Sequence, residues 1–124
     1  MSLRYTTSLD GVTAQMLAGF FDGWRTPPSP QRHLEILHGS RHVLLAVDHA
    51  SAQVVGFINA VGDGCHSAFI PLLEVLPAWR GRGIGTELVR RMLEELGHYR
   101  CIDLTCDAEL EPFYARLGMT RHSP

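Results

Sequence analysis

A short segment in the middle of the chain, residues 72–86, restricts the fold more than any other stretch. An apolar run leads into a turn of arginine and glycine, and a long amphipathic stretch follows the turn. This order predicts a buried strand, a tight turn and the start of a helix. Because the first four amides of a helix lack intrahelical acceptors and carry about half a positive charge, the turn predicts an anion-binding site.

The amphipathic stretch after the turn has the periodicity of a helix, which Gly97 ends. Its apolar side chains recur every three or four residues, and its charged side chains occupy the opposite face. The apolar face comprises Ile84, Leu88, Val89, Met92, Leu93 and Leu96. We therefore expect one face of this helix to be buried against the core.

Two common phosphate-binding loops do not match this turn. A P-loop requires G-x-x-x-x-G-K-[ST], and the chain contains no lysine. A dinucleotide-binding loop requires G-x-G-x-x-G, whereas Gly81, Gly83 and Gly85 alternate with other residues. The remaining pattern is R-x-x-G-x-G, which begins at Arg80 and is separated by two residues from L-x-V-x-P, which ends at Pro77.

The whole chain excludes several classes of protein. Its 124 residues are predicted to form a single domain, residues 1–124, that folds without a metal or a disulfide. A formal net charge of −2 disfavours a nucleic-acid groove, and no apolar run reaches the roughly 18 residues of a membrane-spanning helix. The N-terminus lacks the charged and apolar regions of a signal peptide, so the cytoplasm is the expected location.

The three cysteines, Cys65, Cys101 and Cys106, are odd in number and show no C-x-x-C spacing. Free thiols in a reducing compartment are the simplest explanation, and Cys101 and Cys106 are expected to be buried strand thiols. The seven histidines show no metal-ligand spacing, so no metal site is predicted. All eleven basic residues are arginine, so no lysine is available for self-acylation.

The remaining patterns predict a mixed, mostly antiparallel sheet flanked by helices, in the order β-α-α-β-β-β-α-β-α-β. This arrangement belongs to the α+β class, or three-layer α/β. The predicted strands are residues 3–7, 43–47, 53–61, 65–76, 101–105 and 119–122. The predicted helices are residues 13–21, 30–39, 84–96 and 109–117. Ser29 is the expected N-cap of the second helix, and prolines between residues 22 and 30 end the first helix in a loop that exposes Trp24.

A second motif lies near the end of the chain, where Phe113, Tyr114 and Gly118 form F-Y-x-x-x-G and Met119 follows. This motif is similar to the second signature of the GNAT superfamily of acyl-CoA-dependent N-acyltransferases, F-Y-x-x-x-G-F. The turn at Arg80 resembles the pyrophosphate-binding turn of the same superfamily. The resemblance is strong from about residue 40 to 120. The family usually has a seventh strand, so the short C-terminus predicts an acceptor site that is open or completed by a second subunit.

The resemblance implies that acetyl-CoA is the cosubstrate and indicates which residues would bind it. The pantetheine arm would pair with main-chain groups of Leu73, Val75 and Leu76, where neighbouring strands separate. Arg80 would lie beside the pyrophosphate, and Asp107 stands where many members carry asparagine, which weakens any expected amide contact to the cofactor. The amides that would bind the pyrophosphate belong to Gly81, Arg82, Gly83, Ile84, Gly85 and Thr86.

The implied reaction is direct attack of a primary amine on the thioester of acetyl-CoA in a ternary complex. Tyr114 matches the tyrosine that faces the cofactor sulfur and often acts as general acid. Glu74 is the only carboxylate on the central strand and alternates away from Leu73 and Val75, so it is a candidate general base. A solvated or paired sheet residue is the alternative for Glu74. Trp24 either shapes the acceptor pocket or covers the core.

Two other functions remain open from the sequence. A small acyl-CoA-binding or regulatory module could keep the cofactor turn without turnover, and the lack of an obvious base favours it. A nucleotide binder of the P-loop type is disfavoured by the missing lysine. The expected partner is a small-molecule or peptide amine rather than nucleic acid or a membrane, and an open sheet edge near residue 120 favours a homodimer.

Overall fold

The computed structural model describes residues 2–121, which form a five-stranded sheet flanked by helices. The strands are β1 (Leu3–Thr6), β2 (His42–Asp48), β3 (Val54–Gly62), β4 (Ser67–Val75) and β5 (Cys101–Leu104). The α-helices are α1 (Pro30–Gly39), α2 (Ile84–Glu95) and α3 (Glu111–Ala115). Short 3-10 helices cover Ala14–Leu17, Pro77–Trp79 and Ala108–Leu110.

The strands follow one another across the sheet in chain order, β1-β2-β3-β4-β5. The pairings from β1 to β4 are antiparallel, and β5 joins β4 in parallel. A parallel pair needs a crossover connection, which α2 supplies here. The predicted class and the mixed, mostly antiparallel sheet are therefore confirmed.

Two clusters of buried side chains hold the helices against the sheet. α1 and the 3-10 helix Ala14–Leu17 pack with one cluster, which contains the fully buried Phe57 of β3. Gly56 permits close packing on the other side, because a Cβ there would lie 3.1 Å from side-chain atoms of both Ile84 and Leu88. The buried face of α2 is the one that the periodicity predicts, and it comprises Ile84, Leu88, Val89 and Met92.

The pairing of β4 is incomplete on the side of β5. β4 pairs with β3 as far as Val75, but with β5 only over residues 67–70. The next residue, Pro71, has no main-chain N–H to donate, and the register between β3 and β4 shifts between Asn59 and Val61 near this point. β4 therefore has an unpaired half that faces a gap beyond the end of β5.

The predicted helix over residues 13–21 is wrong, because only the 3-10 turn Ala14–Leu17 forms there. Gly19 and Phe21 adopt positive φ angles of 93° and 65°, and a right-handed helix cannot continue through them. The Ser29 cap is confirmed, since its side chain accepts a hydrogen bond from the N–H of Arg32 at 3.1 Å.

The predicted last strand, residues 119–122, is wrong over the part that the structure describes, because residues 119–121 form no strand. The N–H of Met119 donates to the carbonyl of Tyr114 at 3.1 Å, which closes the end of α3 instead of starting a sheet ladder. His122 lies outside the described residues.

The prediction that Cys101 and Cys106 are buried is also wrong, because both are exposed, as is Cys65. β5 is the last strand of the sheet, and within residues 2–121 no strand pairs with its outer edge. Cys101 begins this edge strand and Cys106 follows it, so neither thiol is enclosed between two layers of structure.

Candidate active site

Main-chain groups of the unpaired half of β4 face the gap. The N–H of Leu76 donates to the carbonyl of Val55 on β3 at 2.8 Å. Because residues of an antiparallel strand bond alternately to one side and the other, the main-chain groups of Val75 and Leu73 point away from β3, toward the gap. The carbonyl of Val75 accepts a hydrogen bond there from Nε of Arg80 at 3.0 Å.

The chain leaves β4 through Leu76, and both main-chain groups of this residue are used within the fold. Its N–H bonds to β3, and its carbonyl accepts from the N–H of Trp79 at 2.9 Å. Arg82 lies over the Trp79 ring, with its guanidinium carbon 4.9 Å from the ring centroid. Nη2 of Arg82 also donates to the carbonyl of Ala78 at 3.3 Å. The Arg82 side chain therefore stabilises the start of the turn through contacts with Ala78 and Trp79.

Gly81 and Gly83 give the turn its shape. Their φ angles of 77° and 81° lie in the left-handed region that favours glycine, and a Cβ on either would have no described atom beyond its chain neighbours within 4 Å. Gly83 is the N-cap of α2, and the first intrahelical bond runs from the N–H of Glu87 to its carbonyl at 3.0 Å. The amides of residues 84–86 therefore lack an acceptor within the helix, which is the geometry of an anion site.

A cavity of about 480 Å³ opens at the gap. β4, the loop that follows β5, α3 and the loop before α1 all contribute to its wall. Glu74, Asp107 and Tyr114, which belong to three separate segments of the sequence, face this one space. The lining residues are Trp24, Ile70, Pro71, Leu72, Leu73, Glu74, Thr105, Cys106, Asp107, Leu110 and Tyr114.

Glu74 is partly buried and is held by contacts from a distant segment. Its Oε1 accepts a hydrogen bond from the N–H of Phe21 at 2.8 Å, and the side chain of Trp24 provides a second hydrogen bond. Burial raises the pKa of the Glu74 carboxyl above its ordinary value, and the negative charge of Asp22 adds to this rise. The two hydrogen bonds and the charge of Arg80 lower the pKa without cancelling the rise. The carboxyl is therefore oriented and binds a proton more tightly than a solvated glutamate.

Tyr114 enters the cavity from α3. The ring of its neighbour Phe113 packs against the α2 side of the sheet, edge-on to the Tyr114 ring with centroids 4.9 Å apart. Burial raises the pKa of the Tyr114 phenol, and the negative charge that Cys106 carries when ionised acts in the same direction. The hydroxyl therefore stays protonated at neutral pH and can donate a proton or a hydrogen bond.

Sequence reasoning placed Phe21 and Trp24 near the acceptor pocket but did not identify the main-chain N–H of Phe21 as a donor to Glu74 or Leu110 as a lining residue. The N–H of Phe21 reaches Glu74 across 53 positions of the chain. No local pattern marks Phe21 as a donor, because its placement depends on a positive φ that bulky residues rarely adopt. Leu110 also lines the cavity. The sequence feature that could have indicated it is an apolar residue between two acidic ones, Glu109 and Glu111.

The histidine, cysteine, aspartate and glutamate side chains of residues 2–121 include no group of three or more that could hold a metal ion. Among these carboxylates, Glu87 pairs with Arg90 and Arg91 on the surface of α2, and these hydrogen bonds lower the pKa of its carboxyl to about 2.

No helix in the described part of the chain has both the length and the apolar character needed to cross a bilayer.

A model of the acetyltransferase (GNAT) family matches residues 10–119, a range that includes the glycine turn and the motif at Phe113. Mycothiol acetyltransferase of Nocardia farcinica (strain IFM 10152) is 38% identical over 101 residues, which cover 75% of this chain and 32% of that protein. The chain thus spans about a third of the length of this curated relative.

Many solved structures share the fold, and two of them are more than 25% identical to this chain. A candidate acetyltransferase from Deinococcus radiodurans R1 is 46% identical, with a TM-score of 0.94 over 98% of this chain and 85% of that one. A GNAT family acetyltransferase from Streptococcus pneumoniae TIGR4 is 26% identical, with a TM-score of 0.74 over 96% of this chain and 86% of that one. The family match, together with the glycine turn and the gap beside β4, identifies this chain as a member of the GNAT family of acetyltransferases.

Proposed function

We propose that this chain is an N-acetyltransferase that moves an acetyl group from acetyl-CoA to a primary amine by direct attack in a ternary complex. Members of the GNAT family use acetyl-CoA and acetylate amine acceptors. The observation that carries the proposal is the cavity beside β4, because Glu74 and Tyr114 line it together. A carboxyl that can accept a proton and a phenol that can donate one can assist acyl transfer to an amine as general base and general acid.

Acetyl-CoA would occupy the gap and the glycine turn, and it supplies an acyl group activated as a thioester. The main-chain groups of Leu73 and Val75 would bind its pantetheine arm, and the amides of residues 81–86 would bind its pyrophosphate. Arg80 would add positive charge beside these amides. Leu76 would contribute by fixing the end of β4, since both of its main-chain groups are already bonded.

Glu74 would take the proton that the acceptor ammonium must lose before its nitrogen can attack the thioester carbonyl. An alkylamine with a pKa of about 10 is about three units from neutral at pH 7, which costs roughly 4 kcal/mol. A carboxyl whose pKa is raised by burial accepts this proton more readily than a solvated one. The fixed position of Glu74 in the cavity supports the same role, because general bases act within hydrogen-bond reach.

Tyr114 would hold a proton at Oη for the leaving sulfur. A phenol of ordinary pKa, about 10, donates to a thiolate of about 8.5 uphill by roughly 2 kcal/mol. Burial raises the pKa of Tyr114 further. The donation therefore depends on shielding the sulfur from water in the same cavity, which raises the pKa of the thiol as well.

We also propose that residues 1–124 act as one acyltransferase domain in the cytoplasm. The thiols of Cys65, Cys101 and Cys106 are free and exposed, which is typical of proteins from a reducing compartment. Within the described residues the outer edge of β5 is unpaired, and this edge favours a homodimer. Sedimentation equilibrium over a range of protein concentrations would test the dimer.

Thermal unfolding with acetyl-CoA, CoA, ATP and NAD tests the cofactor part of the proposal. A ligand at about a hundred times its dissociation constant stabilises a protein by about 2.7 kcal/mol, which raises the midpoint by several degrees. We expect acetyl-CoA and CoA to raise the midpoint and ATP and NAD to leave it unchanged. An unchanged midpoint with all four ligands would contradict the proposed cofactor site.

Release of free CoA from acetyl-CoA across a panel of primary amines tests turnover. We expect release that depends on the amine and saturates with it. Affinity for CoA without amine-dependent release would instead identify an acyl-CoA-binding module, the alternative that the sequence leaves open.

A further inference from the structure

The cavity that contains Glu74 has a chemical character that selects among amines. We propose, on the basis of the proposed function, that the acceptor is a cationic amine with an apolar, preferably aromatic, body and no acidic group. Its ammonium binds Glu74, and its body lies against Trp24 and Leu110. Trp24 and Leu110 are thus specificity-determining residues.

The charged residues that line the cavity are acidic. Glu74 and Asp107 face it, and none of its described lining residues is an arginine or a histidine. Arg80 acts on Glu74 from outside this lining, and its Nε is bonded to the carbonyl of Val75 at 3.0 Å. Asp22 adds a further negative charge near Glu74. A carboxylate or phosphate on the acceptor would meet like charge here, whereas an ammonium meets opposite charge.

Glu74 is positioned in advance for contact with a cation. A carboxylate accepts hydrogen bonds at about four sites, so the bonds from Phe21 and Trp24 leave room for a ligand. Phe21 holds its N–H in place at a φ of 65°, a left-handed conformation that is strained for a bulky residue. Such strain persists where the surrounding structure fixes it and is concentrated at functional sites. Partial burial also strengthens the attraction of the carboxylate for a cation.

Two large apolar side chains of the cavity wall remain exposed. Trp24 is 47% exposed and Leu110 is 44% exposed. The Trp24 ring packs on the ring of Phe21, with centroids 4.9 Å apart, so the residue that holds Glu74 also orients the indole. An apolar acceptor body would cover both side chains, and the face of an indole attracts a cation.

A cation site and a general base make different demands on Glu74. A general base must remove a proton from its ligand, whereas a cation site also binds a quaternary ammonium, which has no proton to lose. Benzyltrimethylammonium combines a fixed positive charge with an aromatic body of the proposed kind. Its binding therefore reports the recognition role of Glu74 separately from any catalytic role.

Calorimetry of benzyltrimethylammonium binding to the full chain, with and without CoA, is the first test. We expect affinity to fall at least about tenfold in Glu74→Gln and by a smaller factor in Trp24→Leu, while Glu74→Asp keeps most of it. Glu35→Gln is the matched control, because it removes the same charge from an exposed position on α1, and its affinity should equal that of the wild type. Equal binding by wild type and folded Glu74→Gln, or no binding by wild type, would overturn the proposal.

Acetylation rates for phenethylamine, phenylalaninol and phenylalanine separate this proposal from the function on which it rests. The three amines share an aromatic body and differ in the group beside the amine, which is hydrogen, hydroxymethyl or carboxylate. We expect kcat/KM for phenylalanine to lie at least about tenfold below that for phenylalaninol, because only phenylalanine brings a negative charge to Glu74 and Asp107. Preferred acetylation of phenylalanine would overturn the proposal and leave the acetyltransferase function intact. If no amine were acetylated but benzyltrimethylammonium still bound in a Glu74-dependent way, the acetyltransferase function would be refuted and the cation site at Glu74 would be supported.

Discussion

The two halves of the candidate site are built in different ways. The cofactor half is continuous in sequence, since residues 73–86 contain the main-chain groups of the gap, the glycine turn and the first turn of α2. The acceptor half is assembled from distant segments, because Phe21 and Trp24 reach Glu74 from the loop before α1, and Tyr114 comes from α3. The first half depends on main-chain geometry, and the second depends on side-chain contacts.

This difference separates a general task from a specific one. Main-chain amides at a helix N-terminus bind a phosphate whatever the neighbouring side chains are, provided that the turn keeps its shape. A cavity lined by side chains from several segments can change its preferred ligand by single substitutions. We therefore expect changes in the turn to affect cofactor binding alone and changes around Glu74 to affect the choice of amine.

The substitution Tyr114→Phe tests the point at which the two halves meet, and we expect it to have the largest effect. It removes the hydroxyl and keeps the ring that packs against Phe113. A positioned acid contributes about 100- to 10,000-fold to a rate, so kcat should fall at least about a hundredfold while the dissociation constant of CoA changes less than about threefold. Steady-state kinetics and calorimetry would measure the two quantities.

Tyr99→Phe is the matched control for this substitution. The Tyr99 hydroxyl bonds to Nε2 of His42 at 2.8 Å and does not line the cavity. We expect its kcat to equal that of the wild type. If Tyr114→Phe also kept its kcat, the hydroxyl of Tyr114 would have no part in proton transfer.

The burial of His33, which packs against Phe21 of the acceptor half, can be tested through the pH dependence of the free energy of unfolding. His33 is fully buried beside Phe21, with ring centroids 4.9 Å apart, and neither of its ring nitrogens has a hydrogen-bond partner in the described chain. Burial lowers the pKa of the His33 imidazole from 6.5 to about 4. As the pH falls, the unfolded chain binds the proton first, so stability is complete above about pH 6.5 and falls by about 3 kcal/mol down to about pH 4.

Urea unfolding across this pH range would measure the loss, and two substitutions assign it. His33→Leu should remove most of the pH-dependent loss, because no proton is then taken up on unfolding at this position. The Glu87 carboxyl, whose pKa is lowered from 4.5 to about 2, adds a smaller loss below about pH 4.5 that remains in this variant. His38→Leu changes an exposed histidine on the same helix and should keep the loss. An identical loss in the wild type and in His33→Leu would assign it to other groups.

The parts of the fold that the sequence predicts correctly have causes within a few residues. Ser29 and Pro30 specify the start of α1 because a cap and a fixed φ act on the next turn alone. The glycine turn and the buried face of α2 follow from residue type and periodicity in the same way. The proposed cofactor half lies in such a segment, so its main-chain geometry follows from the local sequence.

The parts that the sequence does not reveal depend on contacts between distant residues. Residues 13–21 carry a helical pattern, yet Phe21 adopts a positive φ and its N–H bonds to Glu74. The pattern of residues 119–121 suits a strand, but the N–H of Met119 bonds back to α3. Tertiary contacts outweigh local preference in both places, and the acceptor half consists mainly of such contacts.

Gly83→Val tests whether main-chain geometry is what binds the cofactor. At a φ of 81° any residue other than glycine costs about 1 to 2 kcal/mol, and the turn would change shape to avoid this cost. We expect CoA affinity to fall at least about tenfold by calorimetry, with preference among amines unchanged. Gly11→Val is the control, because Gly11 has a φ of 78° and open space around it and lies outside the site. Unchanged CoA affinity in Gly83→Val would show that the amides of the turn do not bind the pyrophosphate.

Asp107→Asn should have the smallest effect, and it tests whether the two halves are independent. Asp107 is exposed, makes no side-chain cap at the 3-10 helix Ala108–Leu110, and lines the cavity. An exposed charge is worth about 0.2 to 1 kcal/mol, so removing it should strengthen CoA binding by about 1.4- to fivefold and weaken the preference for phenylalaninol over phenylalanine by a similar factor. Glu109→Gln is the control. It removes the same charge two positions along the chain, where the side chain does not line the cavity, so it should change neither quantity. If Asp107→Asn changed CoA affinity but not amine preference, Asp107 would belong to the cofactor half alone. If Asp107→Asn and Glu109→Gln produced equal changes, the effect would come from the net charge of the protein and not from the position of Asp107.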